Sequence, residues 1–470
     1  MRQTAAIIGG GVIGGGWAAR FLLNGWDVAV FDPDPEAKRK IGAVLENARY
    51  ALPMLYDVAL PPEGRMTFHD TMSAAVDGAA WIQESVPERL ALKRKVYQTL
   101  QEHCDAGAVI GSSTSGFKPS DLQGCATRPG QIIVTHPFNP VYLMPLIEVV
   151  GTDENDAAFL EHAKATLSSL GLYPLHVRQE IDAHIADRFL EAAWREALWL
   201  VKDGIATTEE IDNAIRYGFG LRWGQMGLFE TYRIAGGEAG MKHFIDQFGP
   251  CLQSPWTRLM DVPELTDELA QKIADQSDAQ SGTLSIRDLE RKRDGNLIAM
   301  MRALKQQGNA AGRLVGDHQK QIARPPETTD PLITQDRVVP VDWTDMNGHM
   351  NEGRYGQIFS DAAEGVMAMV GADEDYVARG MSYFTIETTI KYLGETRAGE
   401  RVQVQSRVTE GKGKKLRCFH EMTRASDGAV MATCDQLMLH VSLQTRRTCE
   451  PPEEVAAKVT ALARMHDRGQ

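Results

Sequence analysis

The chain has 470 residues, too many for one hydrophobic core, which predicts two or three domains. Its formal net charge of -13 at pH 7 disfavours a nucleic-acid partner, because phosphate neutralisation needs clustered Lys and Arg. The six cysteines form no Cys-x-x-Cys pair, and no uncharged apolar run approaches the roughly 20 residues that span a bilayer, so a cytoplasmic protein with reduced thiols and no membrane segment is expected.

Residues 4–33 carry the densest signal in the chain. An apolar run from Ala5 to Ile8 starts so close to Met1 that no cleaved leader is expected. It ends in Gly9-x-Gly11-x-x-Gly14, a helical pattern continues through Trp17, Phe21 and Leu22, and a second run from Val28 to Phe31 delivers Asp32. This is the strand–turn–helix–strand unit that holds a dinucleotide. Gly9 permits the turn, Gly11 admits the pyrophosphate, and Gly14 lets helix and strand close up, with Val12 and Ile13 at the helix start. The pyrophosphate would lie on the first amides of that helix. Asp32 suits a ribose diol and would repel a 2′-phosphate, so the expected cofactor is NAD rather than NADP.

Helical and short apolar segments then alternate: a helix over 36–51, a strand over 79–85, a helix over 89–103, and strands over 109–112 and 132–135. Such alternation predicts a doubly wound, mostly parallel sheet, with ligands beyond the carboxyl ends of its strands. Three polar clusters fall there: Glu84 to Glu88, Ser112-Ser113-Thr114-Ser115-Gly116, and His136-Pro137-Phe138-Asn139-Pro140. From about residue 180 the texture becomes helical up to about 314. Within it, residues 217–234 hold five aromatics and four glycines, too glycine-rich for one helix, and are expected to form a shaped loop at a crevice.

Residues 319–331 are polar, contain three prolines and have no apolar period, which predicts a linker. Beyond it come a strand over 338–341, a turn over 342–350, and a helix with Tyr355, Ile358, Phe359, Ala362 and Val366 on one face. Alternating strands over 385–393, 402–409, 415–423 and 430–441 complete an α+β unit. The expected domains are therefore 1–180, 181–318 and 332–470, joined by the linker at 319–331, and the first two-thirds and the last third should fold separately.

Oxidising an alcohol carbon requires a base for the hydroxyl proton and donors for the developing carbonyl oxygen. His136, directly after a strand, is the candidate base; Glu148, twelve residues on, could orient its imidazole; Ser115 would bind the oxygen. With these residues in place, the first 315 residues or so resemble the short-chain L-3-hydroxyacyl-CoA dehydrogenase family. The likeness rests on Ser113-Thr114-Ser115-Gly116, on the His136-Pro137-Phe138-Asn139-Pro140 box and on Glu148; it implies NAD contacts from Ser113, Glu88 and Lys93. Where that family has an Asn before Arg-Leu, this chain has Asp187 before Arg188-Phe189. A negative charge there argues against a CoA thioester. The segment Leu221-Arg222-Trp223-Gly224-Gln225-Met226-Gly227-Leu228-Phe229-Glu230-Thr231 resembles the lambda-crystallin and carnitine 3-dehydrogenase branch more than the fatty-acid branch. Trp223, Phe229 and Tyr232 could form an aromatic box for a quaternary ammonium ion.

Residues 337–439 resemble the hotdog acyl-CoA thioesterases of the 4-hydroxybenzoyl-CoA type, through Asp345-Met346-Asn347-Gly348-His349 ahead of the central helix. The resemblance implies Asp345 as nucleophile or base, helix-start amides near Gly348 and His349 as polarising donors, and Glu387 as an alternative acid. Together the resemblances imply an α/β Rossmann domain plus an all-α dehydrogenase domain, followed by an α+β hotdog domain. The implied partners are carnitine and an acyl-CoA thioester, betainyl-CoA being the one that chemically joins the two activities, and the chain is expected to form a homodimer or larger homo-oligomer, with no metal. The rival expectations are a 3-hydroxyacyl-CoA dehydrogenase with a fused thioesterase, a dehydrogenase with a non-catalytic hotdog dimerisation module, or a crystallin-like NAD-binding scaffold.

Overall fold

Short runs of Ala, Val and Ile bounded by Gly, Pro and Asp can be buried on both faces only in a covered parallel sheet. In the computed structural model, which describes residues 2–235, 266–281, 283–324 and 327–467 with the single positions 245, 257 and 264, they form such a sheet. The chain divides into two packing units, Met1–Arg49 with Pro62–His318 and Tyr50–Pro61 with Gln319–Gln470.

The first unit holds eight strands: β1 (Thr4–Ile8), β2 (Asp27–Phe31), β3 (Met66–Phe68), β4 (Trp81–Glu84), β5 (Val109–Ser112), β6 (Ile132–Pro137), β7 (Leu146–Val150) and β8 (Tyr173–Val177). Their order is β3-β2-β1-β4-β5-β6-β7-β8. The pairs from β3 to β6 are parallel; β7 turns antiparallel to β6, and β8 runs parallel to β7. Ala6, Ile8, Ile82, Ile110 and Val134 pack in the core on one face with Val96, Tyr97 and Leu100 of the helix Leu90–His103. The nucleotide-type turn leads into helix α1 (Val12–Leu23), and α2 (Ala37–Ala51) follows β2.

Helices Ala186–Lys202, Thr208–Ala214, Gly220–Ala235, Asp267–Ser281, Ile286–Gln306 and Ala310–Ile322 make up the described part of the helical region. Thr207 with Glu210, and Ser285 with Asp288, form capping boxes that start two of them. Residues 217–234 are mostly helical, not a loop. A wide turn over Ile215–Phe219 leads into Gly220–Ala235, and the bends fall on Gly218 (φ -113°, ψ -120°) and Gly227 (φ 72°, ψ -167°). Two of the four glycines sit where the helix breaks, so the residues between keep helical geometry.

In the second unit β9 (Leu332–Val338), β10 (Met381–Tyr392), β11 (Arg401–Lys412), β12 (Lys415–Arg424) and β13 (Val430–Ser442) form an antiparallel sheet in the order β10-β13-β12-β11-β9. Helix Glu352–Met369 buries Tyr355, Ile358, Phe359, Ala362 and Val366, the face expected from sequence. Its core neighbours include Val402, Val404, Met422 and Cys434 of the strands. One helix laid on an antiparallel sheet is the hotdog arrangement. Two boundaries differ from expectation. The strand placed at 338–341 lies instead over Leu332–Val338, and helix Ala310–Ile322 carries residues 319–322 of the expected linker. The two buried residues of this strand, Leu332 and Arg337, are five apart across a register shift, so no two-residue period marks the strand in the sequence. A closing helix, Glu453–Met465, buries Val455, Val459 and Leu462 at helical spacing. Among the described residues no helix is long and apolar enough to cross a membrane, and no group of three or more His, Cys, Asp or Glu is placed to hold a metal.

Candidate functional site

The turn after β1 is shaped by contacts that tolerate no side chain. Gly9 has φ +102°, and a Cβ there would stand 2.6 Å from the Ser85 carbonyl oxygen; one on Gly14 would stand 1.8 Å from that of Gly9. A Cβ on Gly11 would meet nothing within 4 Å. The protein therefore requires glycine at 9 and 14, while the open space over Gly11 fits a close-lying pyrophosphate. Gly11 is also the N-cap of α1 and supplies no side chain to its first amides, which are left for an anion.

A cavity of about 760 Å³ adjoins this turn, lined among others by Gly9, Gly11, Asp32, Asp34, Lys40 and Val86. Asp32 accepts the amides of Gly10 and Asp34 and is thereby held at the end of β2. Lys40, one of the cations of the lining, pairs with Asp34 at 2.6 Å. A carboxylate at the ribose position and an engaged lysine fit NAD. Asp32→Ala should weaken NAD binding measured by calorimetry and narrow the preference over NADP; equal affinity of the unaltered protein for both cofactors would refute the assignment.

Lys93 does not line this cavity. It is buried against Glu84 at 2.8 Å and Glu88 at 3.2 Å. Glu84, itself fully buried, also accepts from Tyr97 (2.5 Å), Ser112 (2.7 Å) and the amide of Val86 (2.8 Å). Burial, with the charge of Glu84 behind it, pushes the Tyr97 hydroxyl well above its ordinary range, so it remains a donor. Removing one partner of such a buried pair costs about 3–5 kcal/mol. The structure thus makes Lys93 a buried support for the loop carrying Glu88. Glu88 is half-exposed and is held by Thr114, whose hydroxyl donates to it. Ser113 is anchored by Gln83 at 2.8 Å and Ser85 at 2.9 Å. Ser115 lies exposed at the tip of the same loop.

His136 and Glu148 are register partners across the antiparallel pair β6/β7. Their twelve-residue separation becomes a hydrogen bond, His136 Nδ1 to Glu148 Oε2 at 3.0 Å. The other carboxylate oxygen of Glu148 accepts the amides of Ile185 (2.8 Å) and Ala186 (2.9 Å) at the start of helix Ala186–Lys202. Burial raises the Glu148 pKa, but the bonds from His136 and the two amides outweigh it and hold the carboxyl below its ordinary value. The anion's hold on His136 is therefore complete above the usual carboxylate range and is lost only as the pH falls through the lowered value.

Because Nδ1 donates to Glu148, neutral His136 presents a lone pair at Nε2. The Oδ2 of Asp187 stands 3.5 Å from that nitrogen. Burial, the largest cause, raises the Asp187 carboxyl above its ordinary value. The imidazole lies between two carboxylates, an arrangement that stabilises a proton gained at Nε2. Phe138 meets the ring edge-on at 4.9 Å. Trp223, Phe229 and Tyr232 are 42%, 70% and 36% exposed; Trp223 packs on Phe219 at 4.6 Å. A box closed on a cation would be more buried.

In the second unit the Asp345 turn is held at both ends. Asp345 Oδ1 accepts the amide of Asn347 (2.8 Å), the Asp345 amide donates to the His349 carbonyl (2.9 Å), and that of Met350 to Thr396 (2.7 Å). The next helix is capped by Asn351, whose side chain accepts from Gly353 at 2.9 Å. Asp345 is therefore not the helix cap. The helix begins at Glu352, so Gly348 and His349 belong to the turn and not to a helix start, which corrects the expectation from sequence. Gly348 (φ +75°) gives its amide to the Asp345 carbonyl, leaving that of His349 as the candidate polarising donor. The His349 ring pairs with Glu395 at 3.2 Å. Glu387 stands exposed beside a bulge in β10.

Residues 4–181 match the 3-hydroxyacyl-CoA dehydrogenase NAD binding domain, 184–275 that family's C-terminal domain, and 339–459 the thioesterase-like superfamily. An L-carnitine dehydrogenase/betainyl-CoA thioesterase of Ruegeria pomeroyi is 63% identical over 98% of this chain and 96% of its own length. The chain belongs to the L-carnitine dehydrogenase/betainyl-CoA thioesterase family. A relative of the same description from a Rhizobium species is 48% identical over 98% of this chain and 95% of its own. An L-carnitine dehydrogenase of Mesorhizobium japonicum is 57% identical over 68% of this chain and 90% of its own. Among solved structures, a 5-formyl-3-hydroxy-2-methylpyridine 4-carboxylic acid 5-dehydrogenase, an NAD+ dependent dismutase, aligns with a TM-score of 0.54 at 26% identity, over 65% of this chain and 99% of that one.

Within this family frame, His184 is the site residue that sequence reasoning overlooked. It is fully buried, has φ +50°, donates from Nε2 to the Thr114 carbonyl (3.3 Å), and lies 5.5 Å from the His136 ring. Burial, with the neighbouring His136, lowers its pKa. The signal was present, three residues before Asp187, but nothing in a single sequence marks a left-handed histidine.

Proposed function

We propose that the first unit oxidises L-carnitine at its 3-hydroxyl and that the second hydrolyses betainyl-CoA to glycine betaine and CoA. The full-length relationship at 63% identity carries this reading. Gly9, Gly11 and Asp32 would hold NAD, which would supply the acceptor for the hydride leaving C3. His136 Nε2 takes the hydroxyl proton, Glu148 fixes the ring and balances the imidazolium, and Ser115 donates to the developing carbonyl oxygen. Asp187 supplies a negative charge beside the substrate, suited to a trimethylammonium group that cannot donate N–H hydrogen bonds. In the second unit Asp345 attacks the thioester carbonyl or takes a proton from the water that does; the C–S bond breaks, the CoA thiolate leaves, and the acyl carbon ends on the water oxygen as glycine betaine. Five described cysteines standing as free thiols support a cytoplasmic setting, and exposed Phe189, Leu190 and Trp194 on one helix support self-association.

The test is NADH formation with L-carnitine against 3-hydroxybutyryl-CoA. Carnitine should be strongly preferred, and Asp187→Asn should raise the KM for carnitine with a smaller effect on NAD. Preference for the CoA ester would overturn the substrate assignment. An unchanged KM in Asp187→Asn would confine Asp187 to orienting His136.

A further inference from the structure

Arg337, on β9, is an arginine with 1% exposure inside the second unit. It lies outside the stretches matched by the dehydrogenase and thioesterase-like families. Its guanidinium pairs with Asp361 of helix Glu352–Met369 at 3.1 Å and with Asp57, and it lies 4.3 Å over the Trp343 ring. Asp57 comes from Tyr50–Pro61, a segment interrupting the NAD-binding stretch of the sequence yet packed within the second unit. Gln319 fixes that segment through the Asp57 amide at 2.8 Å, and a Cβ on Gly399 would stand 2.8 Å from the Tyr50 ring. Arg354 approaches the Trp343 ring at 5.7 Å, and the Trp343 carbonyl accepts the Asn351 amide at 2.9 Å, across the base of the turn that carries Asp345.

We infer that Tyr50–Pro61 is a positioning element of the hydrolytic site: Asp57 holds Arg337, Arg337 stacks on Trp343, and Trp343 closes the Asp345 turn. The inference rests on Asp345 being the catalytic carboxylate. A buried guanidinium needs its anions, and Arg337 has one from the segment and one from the helix after the turn. Without Asp57 the guanidinium is drawn toward Asp361 alone, and the stack on Trp343 loosens. The last third of the chain is then incomplete by itself, contrary to the expectation that it folds separately.

The experiment compares Asp57→Asn, Asp57→Glu and Arg337→Lys in the full chain, with Asp345→Asn in parallel. Asp57→Asn should lower kcat for betainyl-CoA hydrolysis by about tenfold or more, the scale seen when a group orienting a catalytic ligand is lost. KM and carnitine oxidation should change little, and Asp57→Glu should restore most of the rate. Hydrogen exchange at the Asn351 amide should quicken while β11, β12 and β13 stay protected. Arg337→Lys keeps the charge but not the flat stack, and should reproduce both effects if Asp57→Asn does not fold. Full hydrolytic rate with unchanged exchange at Asn351 would overturn the inference, as would a loss of protection spread over the whole sheet. If Asp345→Asn hydrolysed normally, the assignment of the site would fail instead, while exchange at Asn351 would still decide whether Asp57 controls the turn.

Discussion

Replacing His136 by alanine should reduce carnitine oxidation by about 10²–10⁴-fold, the usual contribution of a positioned general base. NAD affinity should stay near that of the unaltered protein, because the Gly9–Gly11 turn and Asp32 lie on β1 and β2 and share no hydrogen bond with His136. The physical reason for so large a loss is that no other group has the same preparation. Glu148 is held as an anion by His136 and the amides of Ile185 and Ala186, so the ring cannot adopt the tautomer that hides Nε2. Steady-state oxidation and calorimetric titration of NAD check both halves. A variant keeping more than about a tenth of the rate would place the base elsewhere. Lost NAD binding would mean that the substitution disturbed the sheet edge rather than proton transfer.

Asp345→Asn should abolish hydrolysis of betainyl-CoA and leave carnitine oxidation intact. An amide oxygen can still accept the Asn347 amide, so the turn should survive while the negative charge is lost. Thiol release measured with a chromogenic disulfide, alongside the dehydrogenase assay on the same sample, separates the two activities. Full hydrolysis by this variant would transfer the role to another acid, with Glu387 the next to test. A fall in both activities would indicate a folding defect rather than lost chemistry.

The sequence by itself determined β1, β2, β4, β5 and β6 of the first sheet because their signals are local, whereas β3, β7 and β8 were not among the expected strands. A strand, a glycine turn, a helix and an acid within 30 residues leave one arrangement, and the later apolar runs add strands to it. The helix before Met369 was legible for the same reason, its apolar face repeating at helical spacing. His136 was legible as a candidate because it follows an apolar run, and Glu148 because it stands twelve residues on; the fold places Glu148 in the middle of β7.

Only the tertiary structure decided what these residues meet. The antiparallel turn of β7 put Glu148 opposite His136, and the start of the next helix put Asp187 at Nε2 and His184 beneath the Thr114 loop. The buried pairing of the Lys93 ammonium with Glu84 and Glu88 likewise appears only in the folded chain. The glycines of residues 217–234 predicted a loop because propensity counts them equally wherever they fall, whereas the fold places two of them at its bends and keeps the rest helical. The pairing of Asp57 with Arg337 spans 280 residues. No periodicity reaches that far: charge pairing across such a separation is fixed by packing alone, because only the folded chain brings the two partners out of water together.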